Sequence, residues 1–351
     1  MPLKRSDLRR IVFIAVSAAV SMWVLLYAPT PYVIYEPGLA VPVKPMIAAQ
    51  KGDSPGEGAF LLTAIKLTEP NFLQTISSMW SPRKDVHLKR DVLRGYTRQQ
   101  YAERLNVIMQ GSQNNAIEAA YRYIGIPYES KSQAIIVSDI QAQRLNAVLP
   151  FEAGDKLIGI KGGERFGSIP EAFDILKRLD AKQESAFEVE RRGEMVSVPF
   201  FAGAFHSSLS AEQMLQALGV TGLTELRGLE PADSRNRLTI EAGDIGGPSA
   251  GLVFALQALD LLTAGDLTGG HRIAATGTIT VDGKVGAIGG IEQKIVIASE
   301  EGAQLFLAPA RNFEEAQAKA KSLGTSMKVV SVATLQDAMD HVEAFNAASP
   351  K

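Results

Sequence analysis

The sequence contains no cysteine. That absence excludes thiol nucleophiles, disulfides and thiolate-bound metals, so any part of the chain that is exported must be held by core packing alone. Histidine is scarce: His87, His206, His271 and His341 are widely scattered, without H-E-x-x-H or comparable spacing. No metal site and no cofactor are expected from such a set. An excess of either charge is also missing, since 36 basic side chains face 38 acidic ones. No global field therefore points to nucleic acid as a partner. The phosphate-loop pattern G-x-x-x-x-G-K-[ST] does not occur in the 351 residues, and no nucleotide is expected as a ligand. The length allows two or three domains with proper cores.

One long uncharged run is present. Residues 11–28, Ile-Val-Phe-Ile-Ala-Val-Ser-Ala-Ala-Val-Ser-Met-Trp-Val-Leu-Leu-Tyr-Ala, are just long enough to span a bilayer as a helix. Lys4, Arg5, Arg9 and Arg10 precede it, which predicts a cytoplasmic N-terminus over residues 1–10 and an extracytoplasmic remainder in a single-pass cell-membrane protein. Trp23 and Tyr27 fall near the outer end, where aromatic rings favour the interface. Lipid is thus an expected partner. A cleaved signal peptide is the rival reading, but no small-x-small site follows and Pro29 comes directly after Ala28.

Residues 29–124 read as an extracytoplasmic N-terminal region. Pro29, Pro31, Pro37, Pro42 and Pro45 predict an extended, turn-rich exit from the membrane. Ala59–Leu67 predicts a buried strand, and residues 97–124 a helix ending near Gly125. Between Arg83 and Arg104 seven Lys/Arg stand against three acids, either a solvated face or a contact with anionic lipid. From 125 to 203 short strands surround one helix, with a Gly-Asp turn at 154–155, Gly162-Gly163, a helix opened by Pro170, and a hairpin around Arg192-Gly193. This order resembles a PDZ domain. The resemblance implies an extended peptide ligand bound by strand addition, with a carboxylate-binding loop near Tyr123, Ile124, Gly125 and Ile126; the same four residues also suit a helix end capped by Gly125.

Residues 205–345 alternate strand and helix, giving an α+β fold. Gly243–Gly251 is dense in glycine, carries Ser249, and runs into Leu252, Ala255, Leu256, Leu259 and Leu262 at helical spacing. Pro248 suits a first helical turn, so Ser249 sits at a helix start, where unpaired N–H groups and the dipole favour an oxyanion or a bound phosphate. Further on, Arg272–Thr280 and Lys284–Ile288 predict a hairpin across Asp282-Gly283. In the next helix Ile291, Ile295 and Ala298 form the inward stripe, and Lys294 falls on it. An inward lysine either snorkels to water or is held neutral as a base, which requires a shift of about 3 pKa units.

Ile245-Gly-Gly-Pro-Ser-Ala-Gly-Leu252, Ala275-Thr-Gly-Thr-Ile-Thr280, Val285-Gly-Ala-Ile-Gly-Gly-Ile-Glu-Gln-Lys294 and Ala308-Pro-Ala310 resemble the proteolytic domain of the Lon proteases, in order and spacing. That domain has the ribosomal protein S5 domain 2-like fold. The resemblance implies Ser249 as nucleophile, Lys294 as its general base, Thr276 orienting the lysine, and the backbone amides of Gly246 and Ser249 as oxyanion donors. With the apolar run and the PDZ-like stretch, the chain resembles the membrane-anchored PDZ–Lon-like serine proteases of Gram-positive bacteria. An ATP-independent serine endopeptidase acting on extended peptides or membrane-proximal proteins is the implied activity, and a homo-oligomer is allowed by the likeness. Energy-dependent Lon enzymes often have Lys-Asp-Gly where Ile245-Gly246-Gly247 stands, so a side chain is missing at Gly246. Two other classes remain: a PDZ-based binding protein with an inactive proteolytic domain, and a small-molecule kinase of related fold.

Overall fold

A computed structural model describes residues 5–348 apart from 51–55, 142–149, 181–183, 202–207 and 244. The expected domain break at 203–205, Lys4 and Asp244 of the glycine-rich stretch lie outside the described residues. Helix α1 (Arg5–Tyr27) includes one segment, Arg9–Tyr27, long and apolar enough to cross a membrane, and none of it is buried in the protein. It is followed by β1 (Tyr32–Pro42), β2 (Ile47–Ala49), β3 (Ala59–Thr68), α2 (Phe72–Ser78), β4 (Asp85–Leu88) and α3 (Lys89–Leu93). The long helix α4 (Arg98–Ile124) begins at a reciprocal cap, in which Thr97 accepts from the Gln100 N–H and Gln100 accepts from Thr97. Gly125 closes it with φ +72°.

A second module follows, built from β5 (Tyr128–Ile140), β6 (Lys156–Ile160), α5 (Ile169–Arg178), β7 (Glu184–Arg191), β8 (Glu194–Phe201), α6 (Ala211–Ala217) and β9 (Val220–Pro231). Its five strands form an antiparallel sheet ordered β8-β7-β6-β5-β9, with its own core around Phe151, Phe187, Ile175 and Met214. Arg192 and Gly193, both at positive φ, make the β7–β8 turn. The first and last strands pair end to end, Tyr128 against Pro231, and the Ala232 N–H donates to the Pro127 carbonyl at 2.9 Å. The module therefore leaves and re-enters the chain at one point.

The remainder comprises β10 (Leu238–Ile240), α7 (Gly251–Leu262), β11 (Arg272–Ala275), β12 (Thr278–Ile279), β13 (Val285–Gly286), α8 (Ile291–Glu300), β14 (Leu305–Pro309), α9 (Phe313–Leu323), β15 (Lys328–Val332) and α10 (Leu335–Ala348). Thr334 and Asp337 exchange the expected reciprocal cap at the start of α10. The main sheet has the order β15-β14-β11-β3-β1-β4, with β15, β14, β11 and β3 parallel and β1 antiparallel to both neighbours. Alternate strand residues face opposite layers. Phe60, Leu62, Ile273, Ala275 and Leu307 meet α4, α7 and α10, while Leu61, Ala274, Phe306 and Ala308 meet α8 and α9. Both faces are covered, so these strands read as continuous apolar runs.

One expectation changes here, and one alternative is decided. Residues 29–124 are not a separate region: β1, β3 and β4 supply half of the main sheet, and α4 packs on α7. Parallel pairing of β3 with β11, more than 200 residues away, leaves no local sequence signature. Tyr123, Ile124, Gly125 and Ile126 are the end of α4 and its left-handed cap, the alternative the sequence allowed, with Ile124 and Ile126 packed against the main core. The basic stretch beginning at Arg83 is largely consumed within the fold, Arg83 by Glu300, Lys84 by Glu36 and Lys89 by Glu69.

Candidate active site

Gly247 has φ +94°, a backbone state open to glycine, and turns the chain into a single 3-10 turn over Pro248–Ala250 that continues as α7. All twelve residues of α7 are buried, which fixes its axis and hence the position of Ser249 at its start. The Ser249 carbonyl is held by two donors, the Gly277 N–H at 2.8 Å and Thr276 Oγ1 at 3.0 Å. Thr276 Oγ1 thus fixes the serine backbone, and no hydrogen bond joins it to Lys294 among the described residues. In turn the Thr276 N–H is anchored on the Leu307 carbonyl at 3.2 Å.

Helix α4 backs the same loop. The Gly247 N–H donates to the Leu105 carbonyl at 3.0 Å, and Ser112 Oγ donates to the Pro248 carbonyl at 3.1 Å. A Cβ on Gly246 would stand 3.0 Å from Leu105 Cβ, which gives a packing reason for glycine at this position. The first N–H groups of a helical turn lack intrahelical acceptors, so the Ser249 amide is available to an oxyanion.

Lys294 comes from the first turn of α8, whose left-handed start is Gly290 at φ +68°. Its side chain is 2% exposed. Nζ lies 3.1 Å from Ser249 Oγ and donates to the Thr63 carbonyl of β3. Burial alone pushes its pKa down to about 7, because an ammonium loses hydration there without gaining a carboxylate. The amine donates to the Thr63 carbonyl and lies within hydrogen-bond distance of Ser249 Oγ; in its neutral form its lone pair can accept the Ser249 O–H. Such a pair can transfer a proton from hydroxyl to amine as oxygen attacks a carbonyl carbon.

The dyad opens into a cleft of about 360 Å³, lined by Thr63, Ala64, Ile65, Tyr35, Tyr101 and Ile245 among others. Strand β11 pairs with β3 only up to Leu62, so the β3 edge beyond it faces the cleft. Thr63 was the functional position missing from the sequence reading. Nothing in Phe-Leu-Leu-Thr-Ala marks it, because its role depends on a carbonyl and on a strand partner elsewhere in the chain. Thr63 Oγ1 is itself buried without a partner among the described residues. His271 takes no part: it is buried edge-on against Phe345, with Nδ1 3.2 Å from Gln304 Oε1. Among the described residues no group of three or more His, Asp or Glu could hold a metal.

The fold thus brings a serine at a helix start and a buried lysine within hydrogen-bond distance of each other. Residues 240–344 match the family model of the Lon protease (S16) C-terminal proteolytic domain. Over 97 residues the chain is 35% identical to a Lon protease of Campylobacter concisus, covering 26% of this chain and 11% of that protein. Over 149 residues it is 30% identical to Lon protease 2 of Bacillus subtilis, covering 40% of this chain and 25% of that protein. A Lon protease of Lachnoclostridium phytofermentans is 32% identical over 95 residues, 27% of this chain and 12% of that protein. The chain spans about a tenth to a quarter of the length of these curated relatives. The similarity to a Lon-type proteolytic domain is thus confined to the C-terminal third of the chain for the family model.

Proposed function

We propose that the protein is an ATP-independent serine endopeptidase working through a Ser249–Lys294 dyad. The observation that carries this is the 3.1 Å approach of a fully buried amine, with its pKa pushed down to about 7, to the Ser249 hydroxyl. A substrate in extended form pairs with the free edge of β3 at Thr63–Ile65, which brings a peptide carbonyl over Ser249. Oγ attacks that carbon as Nζ takes the hydroxyl proton, and the Gly246 and Ser249 amides receive the oxyanion. The ammonium then gives its proton to the departing amine, leaving an acyl-enzyme. Water repeats the sequence, with Nζ again as base, and releases the acid.

The apolar α1 is read as an uncleaved anchor with the N-terminus in the cytoplasm, which places the cleft outside the cell, where ATP is scarce. The five-stranded module is read as a PDZ domain that presents or admits peptide segments. Ser249→Ala should keep the wild-type melting curve and Lys294→Met should remain folded, and each should lose at least a thousandfold in peptide hydrolysis. Peptidase activity within tenfold of wild type in either variant rules the dyad out.

A further inference from the structure

Helix α2 has its polarity reversed. Thr75 and Ser78, each 2% exposed, face β1 and β4, while Leu73, Ile76, Met79 and Trp80 face outward, Trp80 at 78% exposure. The outward four, with half-buried Phe72, recur at i, i+3 and i+4 and so share one helix face. A protein standing in water on all sides does not gain by burying two hydroxyls and exposing a tryptophan and three aliphatic or thioether side chains. The patch also has a defined neighbour. Asn71 Nδ2 donates to the Leu26 carbonyl in the last turn of α1 at 3.1 Å, and Thr30 Oγ1 donates to the Pro70 carbonyl at 2.9 Å. The apolar surface of α2 is thereby continuous with the end of α1 that carries Trp23 and Tyr27.

We infer that α2 and Trp80 form a membrane seat, lying in the outer interface of the bilayer that α1 spans, with the apolar face against lipid. The inference rests on reading α1 as an anchor. Its occupant is lipid by apolar contact rather than by charge, because α2 holds no charged residue and Arg83, Lys84 and Lys89 are paired within the protein. Trp at this depth has an apolar ring body and an N–H that reaches water or headgroups. The seat fixes the height of the cleft. At about 3.4 Å per residue, the chain from Thr63, which holds Lys294, to Asn71 spans at most about 27 Å. Segments leaving the membrane surface are therefore the substrates within reach.

The two tryptophans make the test direct. The full chain carrying Trp23→Phe, reconstituted into phosphatidylcholine vesicles, reports Trp80 alone; Trp80→Phe reports Trp23. With lipids brominated near the headgroup end of the acyl chains, Trp80 emission should fall at least twofold, and aqueous iodide should quench it less than free tryptophan. The same fall should be seen when anionic lipid is added. Trp80 open to iodide and indifferent to brominated lipid, while Trp23 is quenched by lipid, overturns the seat and leaves the anchor standing. Loss of lipid quenching at both positions overturns the anchor and the seat together. Quenching of Trp80 only in anionic vesicles overturns the apolar seat in favour of charge attraction.

Discussion

Burying an amine beside a hydroxyl ties both activity and stability to pH at one residue. The pKa of Lys294, lowered by desolvation from 10.5 to about 7, lies below its unfolded value. Between pH 7 and 10.5 the unfolded chain holds a proton there that the folded chain does not, so stability rises with pH over that window. Below pH 7 both states are charged, and the folded protein bears the full cost, on the order of 5 kcal/mol relative to pH above 10.5. Lys294→Met should accordingly melt higher than wild type at pH 6–7, with the difference shrinking toward pH 10, measured by calorimetry. An equal melting temperature at all pH values would mean that the amine is hydrated. Thr276 is distinguishable from the base by its contact. Its Oγ1 holds the serine carbonyl, so Thr276→Val should lower kcat about 5–30-fold, the equivalent of roughly 1–2 kcal/mol, while the kcat/KM profile keeps its midpoint near pH 7. A moved midpoint would place the hydroxyl on the lysine instead.

At the scale of elements, the Ser249 turn is a junction between α4, α7 and the β11–β12 connection. Gly251 marks how closely they approach: a Cβ there would lie 2.8 Å from Ser112 Oγ and 2.9 Å from the Ile279 backbone nitrogen. Because the second contact is main chain, the neighbour cannot rotate away. Gly251→Ala should cost about 1–3 kcal/mol and lower kcat with it, seen as a shifted denaturation midpoint and a slower single turnover. Much of this junction was legible in advance. Pro248 at a first turn, the apolar spacing of α7 and the inward stripe of α8 are short-range patterns that a helix turns directly into faces. Residues 123–126 show the limit, since Tyr-Ile-Gly-Ile suits either a loop or a capped helix end. The left-handed Gly125, the Ile126 N–H bond to the Tyr121 carbonyl and the packing of Ile124 and Ile126 decided for the helix end.

For the whole molecule, the core that carries Ser249 and Lys294 is assembled from two distant stretches with the five-stranded module inserted between them. Pro127 and Ala232 meet at the insertion point, so joining them closes no gap. The module is tied to α4 by Asn114 and Asn115, which bond Arg227, and by the Arg227–Glu118 ion pair at 2.9 Å. Glu118 is 3% exposed and also accepts from Tyr128 Oη at 2.9 Å; removing both Arg227 and Tyr128 leaves its charge with the weaker Arg122 contact at 3.3 Å. Excision of Tyr128–Pro231 with a two-glycine link should leave a folded core that still hydrolyses short peptides, destabilised by about 3–5 kcal/mol, with part of the loss restored by Glu118→Gln. An unfolded product in both forms, by circular dichroism, would show that the module is integral to the core.

By itself the sequence determined the local chemistry: a serine at a helix start, a lysine on an inward face, an apolar helix ahead of them, and caps and hairpins at their expected places. Each is encoded within a few residues, where helix and turn geometry leave few alternatives. Only the tertiary structure decided that β3 lies beside β11, that the Thr63 carbonyl holds Lys294, that Thr276 serves the serine, and that α2 turns its apolar face outward at the end of α1. These depend on which distant strands pair and on what burial leaves uncovered, and no pattern of neighbouring residues records either.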